Sequence, residues 1–118
     1  MSTSTVHHIL NGWTPLMRAS FDGHVEIVRL LIEAKAQLNI QEKEDGATAL
    51  HLAAQEGKAD VVRLLTEAGA QLDIQRTNGA TPLFIASQNG HSEVVNILLR
   101  NGAGVDRAMN VSQSSVTA

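Results

Sequence analysis

The chain repeats itself. "GWTPLMRA" begins at Gly12, "GATALHLA" at Gly46 and "GATPLFIA" at Gly79, so successive copies start 34 and then 33 residues apart. Downstream, "DGHVEIVRLLIEAKAQLNI", "EGKADVVRLLTEAGAQLDI" and "NGHSEVVNILLRNGAGVDR" keep the same register. Three copies fill residues 11–107. Self-similarity at such a period restricts the fold to stacked units, each burying its apolar face against the next.

Each copy predicts the same pair of helices. Thr14, Thr48 and Thr81 stand where an N-cap hydroxyl accepts from free N–H groups of the first turn. Pro15 and Pro82 follow at the first helical position, where a missing N–H is harmless. Gly23, Gly57 and Gly90 are expected to stop this short helix through a left-handed C-cap. A second helix then runs to about Ala34, Ala68 and Asn101. Its "IVRLLI", "VVRLLT" and "VVNILL" runs are apolar over more than one stripe, as suits an element with neighbours on both sides. Gly69 and Gly102 end it; Lys35 takes their place in the first copy, so a non-glycine residue in a left-handed conformation is expected there.

Composition agrees with small helices packed closely. The chain has 118 residues, 43% hydrophobic but only 3% aromatic, so Ala, Leu, Val and Ile must fill the core. Without cysteine there are no disulfides or thiolate metal sites, which suits a reducing compartment. A net charge of −3 with interspersed signs gives no footprint for nucleic acid. No window approaches the ~20 apolar residues of a membrane span. "MSTSTVHHILNGW" has neither the basic start nor the apolar stretch of a secretory signal. The expected location is intracellular, the cytoplasm with the nucleus as alternative.

The pattern resembles the ankyrin repeat. That family's T-P-L-H-x-A signature appears as "TALHLA" at residues 48–53, and in weaker form as "TPLMRA" at 14–19 and "TPLFIA" at 81–86. "GHVEIVRLL" and "GHSEVVNIL" match its second helix, and "GAQLD" and "GAGVD" the turn after it. The resemblance implies an all-α fold: an ankyrin-repeat solenoid of three helix-turn-helix repeats joined by β-turn fingers. The implied organisation is an N-terminal extension over 1–10, a repeat domain over 11–106, and a C-terminal tail or partial cap over 107–118. The repeats run approximately over 11–44, 45–77 and 78–110.

The resemblance also gives His51 a structural role, bonded to its capping Thr48 and to backbone of an adjacent repeat. Met17 and Phe84 stand in the other copies and lack that polar link. Gly57, Gly69, Gly90 and Gly102 are likewise structural. His24 and His91 recur at one repeat position and are expected to form a ladder, not a metal site. Glu26, Asp60 and Glu93 recur at helix starts, where carboxylates are favoured. The adjacent His7 and His8 have no third ligand. No nucleophile, base or metal set converges, so no catalysis and no cofactor are expected.

Partners in the family are generally bound by the fingers and the exposed side of the first helices, which form a concave surface. By register that surface holds Trp13, Phe21 and Asp22 from the first copy. It holds Glu44, Asp45, Ala47, Gln55 and Glu56 from the second, and Arg76, Asn78, Ala80, Gln88 and Asn89 from the third. Trp13 and Phe21 are aromatic anchors of the kind that dominate interfaces; alternatively, Trp13 covers an open repeat end against "VHHIL". "EKED" at 42–45 supplies the extra residue of the middle finger and reads as a solvated acidic turn or as a charged rim. Asn39, Asp73 and Asp106 each follow a Leu by eight residues, a pattern hydroxylated in some members. "NVS" at Asn110–Ser112 matches a glycosylation acceptor without a secretory context.

The function implied is a non-catalytic protein–protein interaction module for a protein or peptide partner, with no nucleic acid and no membrane. The alternative is a structural spacer from a longer repeat array or multidomain protein. A monomer is expected, with self-association through the uncapped C-terminal repeat as the alternative. Val94, Val95, Ile97, Leu98 and Leu99 match an internal repeat, so Val105, Ala108 and Met109 are expected to fold back as a partial lid, or the end meets another molecule.

Overall fold

The computed structural model describes residues 12–105. Among them are six helices and no strand: α1 Pro15–Asp22, α2 Val25–Glu33, α3 Ala49–Glu56, α4 Ala59–Glu67, α5 Pro82–Gln88 and α6 Ser92–Arg100. The threonine caps are the switch that starts each repeat. Thr14, Thr48 and Thr81 are extended, and their hydroxyls accept from the N–H groups of Met17, His51 and Phe84 at 3.1, 3.2 and 3.2 Å. Pro15 and Pro82 open α1 and α5.

Gly23 and Gly57 cap α1 and α3 in the left-handed region. The third copy differs: α5 ends a residue early at Asn89, and Gly90 adopts the positive φ just beyond it. No side chain caps α2, α4 or α6, but Glu26, Asp60 and Glu93 sit in their first turns. There their charges oppose the exposed positive end of the helix dipole. Lys35 has φ +69°, the only described non-glycine residue with a positive value, as the position shared with Gly69 and Gly102 predicts.

The first helices stack as one row, α1 on α3 on α5, and the second helices as another, α2 on α4 on α6. Where the rows meet, Ala53, Ala54 and Ala86 are fully buried, and their small side chains permit close helix approach. Leu50, Leu65, Leu98, Val28, Val61, Val62 and Val94 fill the space between, each at most 1% exposed. Burying one such side chain contributes about 1.5–3 kcal/mol. Arg18 stays exposed on the first repeat, while its counterparts Leu52 and Ile85 are buried.

The fingers are closed by backbone bonds, Glu42 N–H to the Ala47 carbonyl and Arg76 N–H to the Ala80 carbonyl. Adjacent fingers are laced together. Thr77 N–H donates to the Asp45 carbonyl at 2.7 Å, and the Gln41 amide donates to the Gln75 carbonyl at 3.0 Å. Asn39 and Asp73 serve the same purpose, their carboxamide and carboxylate oxygens accepting from the N–H groups of Gln71 and Gly104 in the following repeat.

Candidate functional site

A groove is built from the second and third repeats. Gln55 and Glu56 at the end of α3 form one wall. Arg76 and Asn78 of the finger close one end and Gln88 and Asn89 at the end of α5 the other, with Ile85 also in the lining. The groove encloses about 510 Å³. These are residues that the repeat register places on the concave surface, with Ile85 added. A residue on the inner side of a first helix signals a groove floor only once the curvature of the stack is known.

The groove is tied together by bonds among its own residues and to their neighbours. The Gln55 carbonyl accepts from the Asn89 amide at 3.2 Å and from His91 Nε2 at 3.0 Å. Asn78 Oδ1 accepts from Ala80 N–H at 3.0 Å, fixing the finger's turn. Arg76 donates to Asp45 Oδ2 at 3.0 Å, while its Nε is buried without a partner. The Gln55 amide donates to Glu56 Oε2 at 3.1 Å.

Behind the groove, His51 locks two repeats together. Its Nδ1 accepts from Thr48 N–H at 3.1 Å and its Nε2 donates to the Ala80 carbonyl at 3.0 Å. That network assigns the Nε2–H tautomer and leaves the ring neutral with both nitrogens satisfied. Burial lowers the His51 pKa to about 4, and the Arg76 guanidinium adds to the effect. In the first repeat Met17 keeps a weak version of the local half, its sulfur accepting from Thr14 N–H at 3.4 Å.

Two residues assigned to the concave surface are almost fully buried. Ala47 and Ala80 are each 3% exposed, because both pack under the fingers at the start of the first helices. Ala80 lines the groove only through that edge. Glu42 is buried at the base of its finger, accepting from Asp45 N–H, so only Lys43, Glu44 and Asp45 of "EKED" are exposed. Trp13 and Phe21 are partly buried and pack edge to face with centroids 5.4 Å apart, away from the groove. Asp22 pairs with Arg18 at 2.9 Å. His7, His8, "VHHIL", Asp106, Ala108, Met109 and Asn110 lie outside the described residues.

His91 lies against Gly57, whose added Cβ would fall 2.7 Å from the ring, and the Lys58 stem covers Gly23 in the same way. Among the described residues no group of three His, Cys, Asp or Glu side chains is placed to hold a metal ion. Nor is any helix among the described residues long and apolar enough to cross a membrane. The groove's own groups are amides, a carboxylate and a guanidinium, which suit hydrogen bonding to an extended main chain.

A family model described as ankyrin repeats (3 copies) matches residues 2–76 and, overlapping, 38–109. A search of curated proteins finds no match.

Proposed function

The chain belongs to the ankyrin-repeat family, and we propose from this and the groove that it binds an extended segment of a protein partner between its second and third repeats. Ankyrin repeats are generally protein–protein interaction modules. The observation that carries the reading is the groove itself: Asn78 and Asn89 are fixed by bonds to backbone, and Gln55, Glu56 and Gln88 present their side chains beside them. A surface already ordered before binding loses little entropy on association. With Arg76 paired to Asp45, the Glu56 carboxylate favours a segment with a positive charge, so binding should weaken with salt.

Selection of a displayed random peptide library against the immobilised protein supplies the test. Selected peptides should bind wild type and lose at least tenfold in affinity to the Glu56→Lys/Gln88→Arg double variant. Both side chains are exposed, so the fold should be unchanged. Trp13→Ala/Phe21→Ala should bind the same peptides as wild type. If that variant loses binding while the groove variant keeps it, the partner surface is the aromatic pair in the first repeat. A spacer would select no peptide at all.

A further inference from the structure

The two ends of the described stack expose apolar faces that are buried between repeats inside it. Within the molecule, Leu50, His51 and Val62 of the second repeat are at most 1% exposed beneath the third, and Leu16, Met17 and Val28 of the first at most 2% beneath the second. Their counterparts in the third repeat are Leu83, Phe84 and Val95. No repeat follows these among the described residues, and with Leu99 and Val105 they open into a groove of about 290 Å³. Leu99 is 42% exposed and Val105 67%.

The other end mirrors this. Val61 of α4 and Val94 of α6 are at most 1% exposed against the preceding repeat, and Ile97 is 7% exposed. Their counterparts on α2, Ile27 and Leu30, are 47% and 56% exposed. Of the five large apolar side chains exposed among the described residues, four therefore lie on these two end faces, and Ile40 is the other.

We propose that copies of this chain associate head to tail, the α2 face of one molecule docking on the α5–α6 groove of the next so that the repeat stack continues across molecules. Other contacts match in register. Gly23 is covered by Lys58 and Gly57 by His91, while Gly90 has nothing within 4 Å; the residue that register brings over it is His24 of the next copy. Arg63 meets Glu93 between α4 and α6 at 3.5 Å, and across the joint Asn96 would meet Glu26. Where His51 bonds to the Ala80 carbonyl, the joint sets the Phe84 ring over the backbone of Trp13, an apolar contact in place of that hydrogen bond. Such a contact is heterologous and does not close on itself, so it produces open chains of molecules.

Sedimentation velocity of the full chain tests this. The weight-average sedimentation coefficient should rise continuously from micromolar concentration upward. Leu30→Glu and Leu99→Glu, each confirmed folded by circular dichroism, should each be monomeric alone. Mixed in equal amounts they should form a one-to-one complex and nothing larger, because each retains the face the other has lost. Ile27→Glu and Val105→Glu serve as second variants should either fail to fold. A wild-type chain monomeric at every concentration overturns the proposal, as it would if residues 1–11 or 106–118 of the same chain cover the ends. So does association that survives both variants, or a mixture that stays monomeric where wild type associates.

Discussion

At the scale of single residues, His51 shows most clearly how local chemistry holds the repeats together. The ring is buried and neutral, accepting from one repeat and donating to the next. Protonating Nδ1 would turn its N–H against the Thr48 N–H that it now accepts. The folded-state pKa of about 4 lies below the ordinary 6.5, so between these values the unfolded chain binds the extra proton. Stability from this residue is therefore complete above pH 6.5 and is lost as pH falls toward 4, by an amount on the order of 3 kcal/mol. Thermal melts across that window should show a steeper decline for wild type than for His51→Gln; equal slopes would mean the ring is not buried neutral. Lys35 gives a second residue-level prediction. Its φ of +69° strains a side-chain-bearing residue, so Lys35→Gly should stabilise by about 1 kcal/mol and raise Tm by a few degrees. A Tm that falls would show that the entropy glycine adds to the unfolded chain outweighs the strain it relieves. These two roles were legible in the sequence, one through the family signature and the other through a glycine position filled by Lys. The burial of Ala47, Ala80 and Glu42 was not. Register assigns a residue to a finger but does not say whether its side chain turns outward or packs beneath the turn.

At the scale of elements, cover on both sides should set the order of stability. α3 buries six of its eight residues, and α4 packs between α2 and α6. Among the described residues the outer repeats each have a neighbour on one side alone, so amide exchange should be slowest in α3 and α4, residues 49–67. Slower exchange in α6 would contradict this order and would place an additional cover on the C-terminal end. Helix starts were legible because Thr caps and Pro at the first position act locally. Helix ends were less so: Asn89 closes α5 before Gly90, since a helix can terminate in ordinary backbone one residue ahead of its left-handed glycine. The extra residue in "EKED" was visible as a change of period, but its consequence depends on the third dimension. Glu42 folds under the finger and leaves Glu44 and Asp45 at the tip.

At the scale of the whole molecule, the stack converts three similar units into two different kinds of surface. The end faces are apolar and equivalent to internal interfaces, while the concave side is polar and differs from repeat to repeat. Gln55, Glu56, Arg76, Asn78, Gln88 and Asn89 converge there because the second finger-to-helix junction curves against the third. Counting along the sequence placed them on one side; only the packed stack shows that they share a groove from which Trp13 and Phe21 are absent. The central claim is that this groove is preorganised and binds a partner without rearrangement of the frame. Amide exchange measured with and without a selected peptide tests it most directly. Added protection should fall on residues 55–56, 76–80 and 85–89, with α2, α4 and α6 unchanged. Protection spread through the second-helix row, or confined to residues 13–22, would contradict the account.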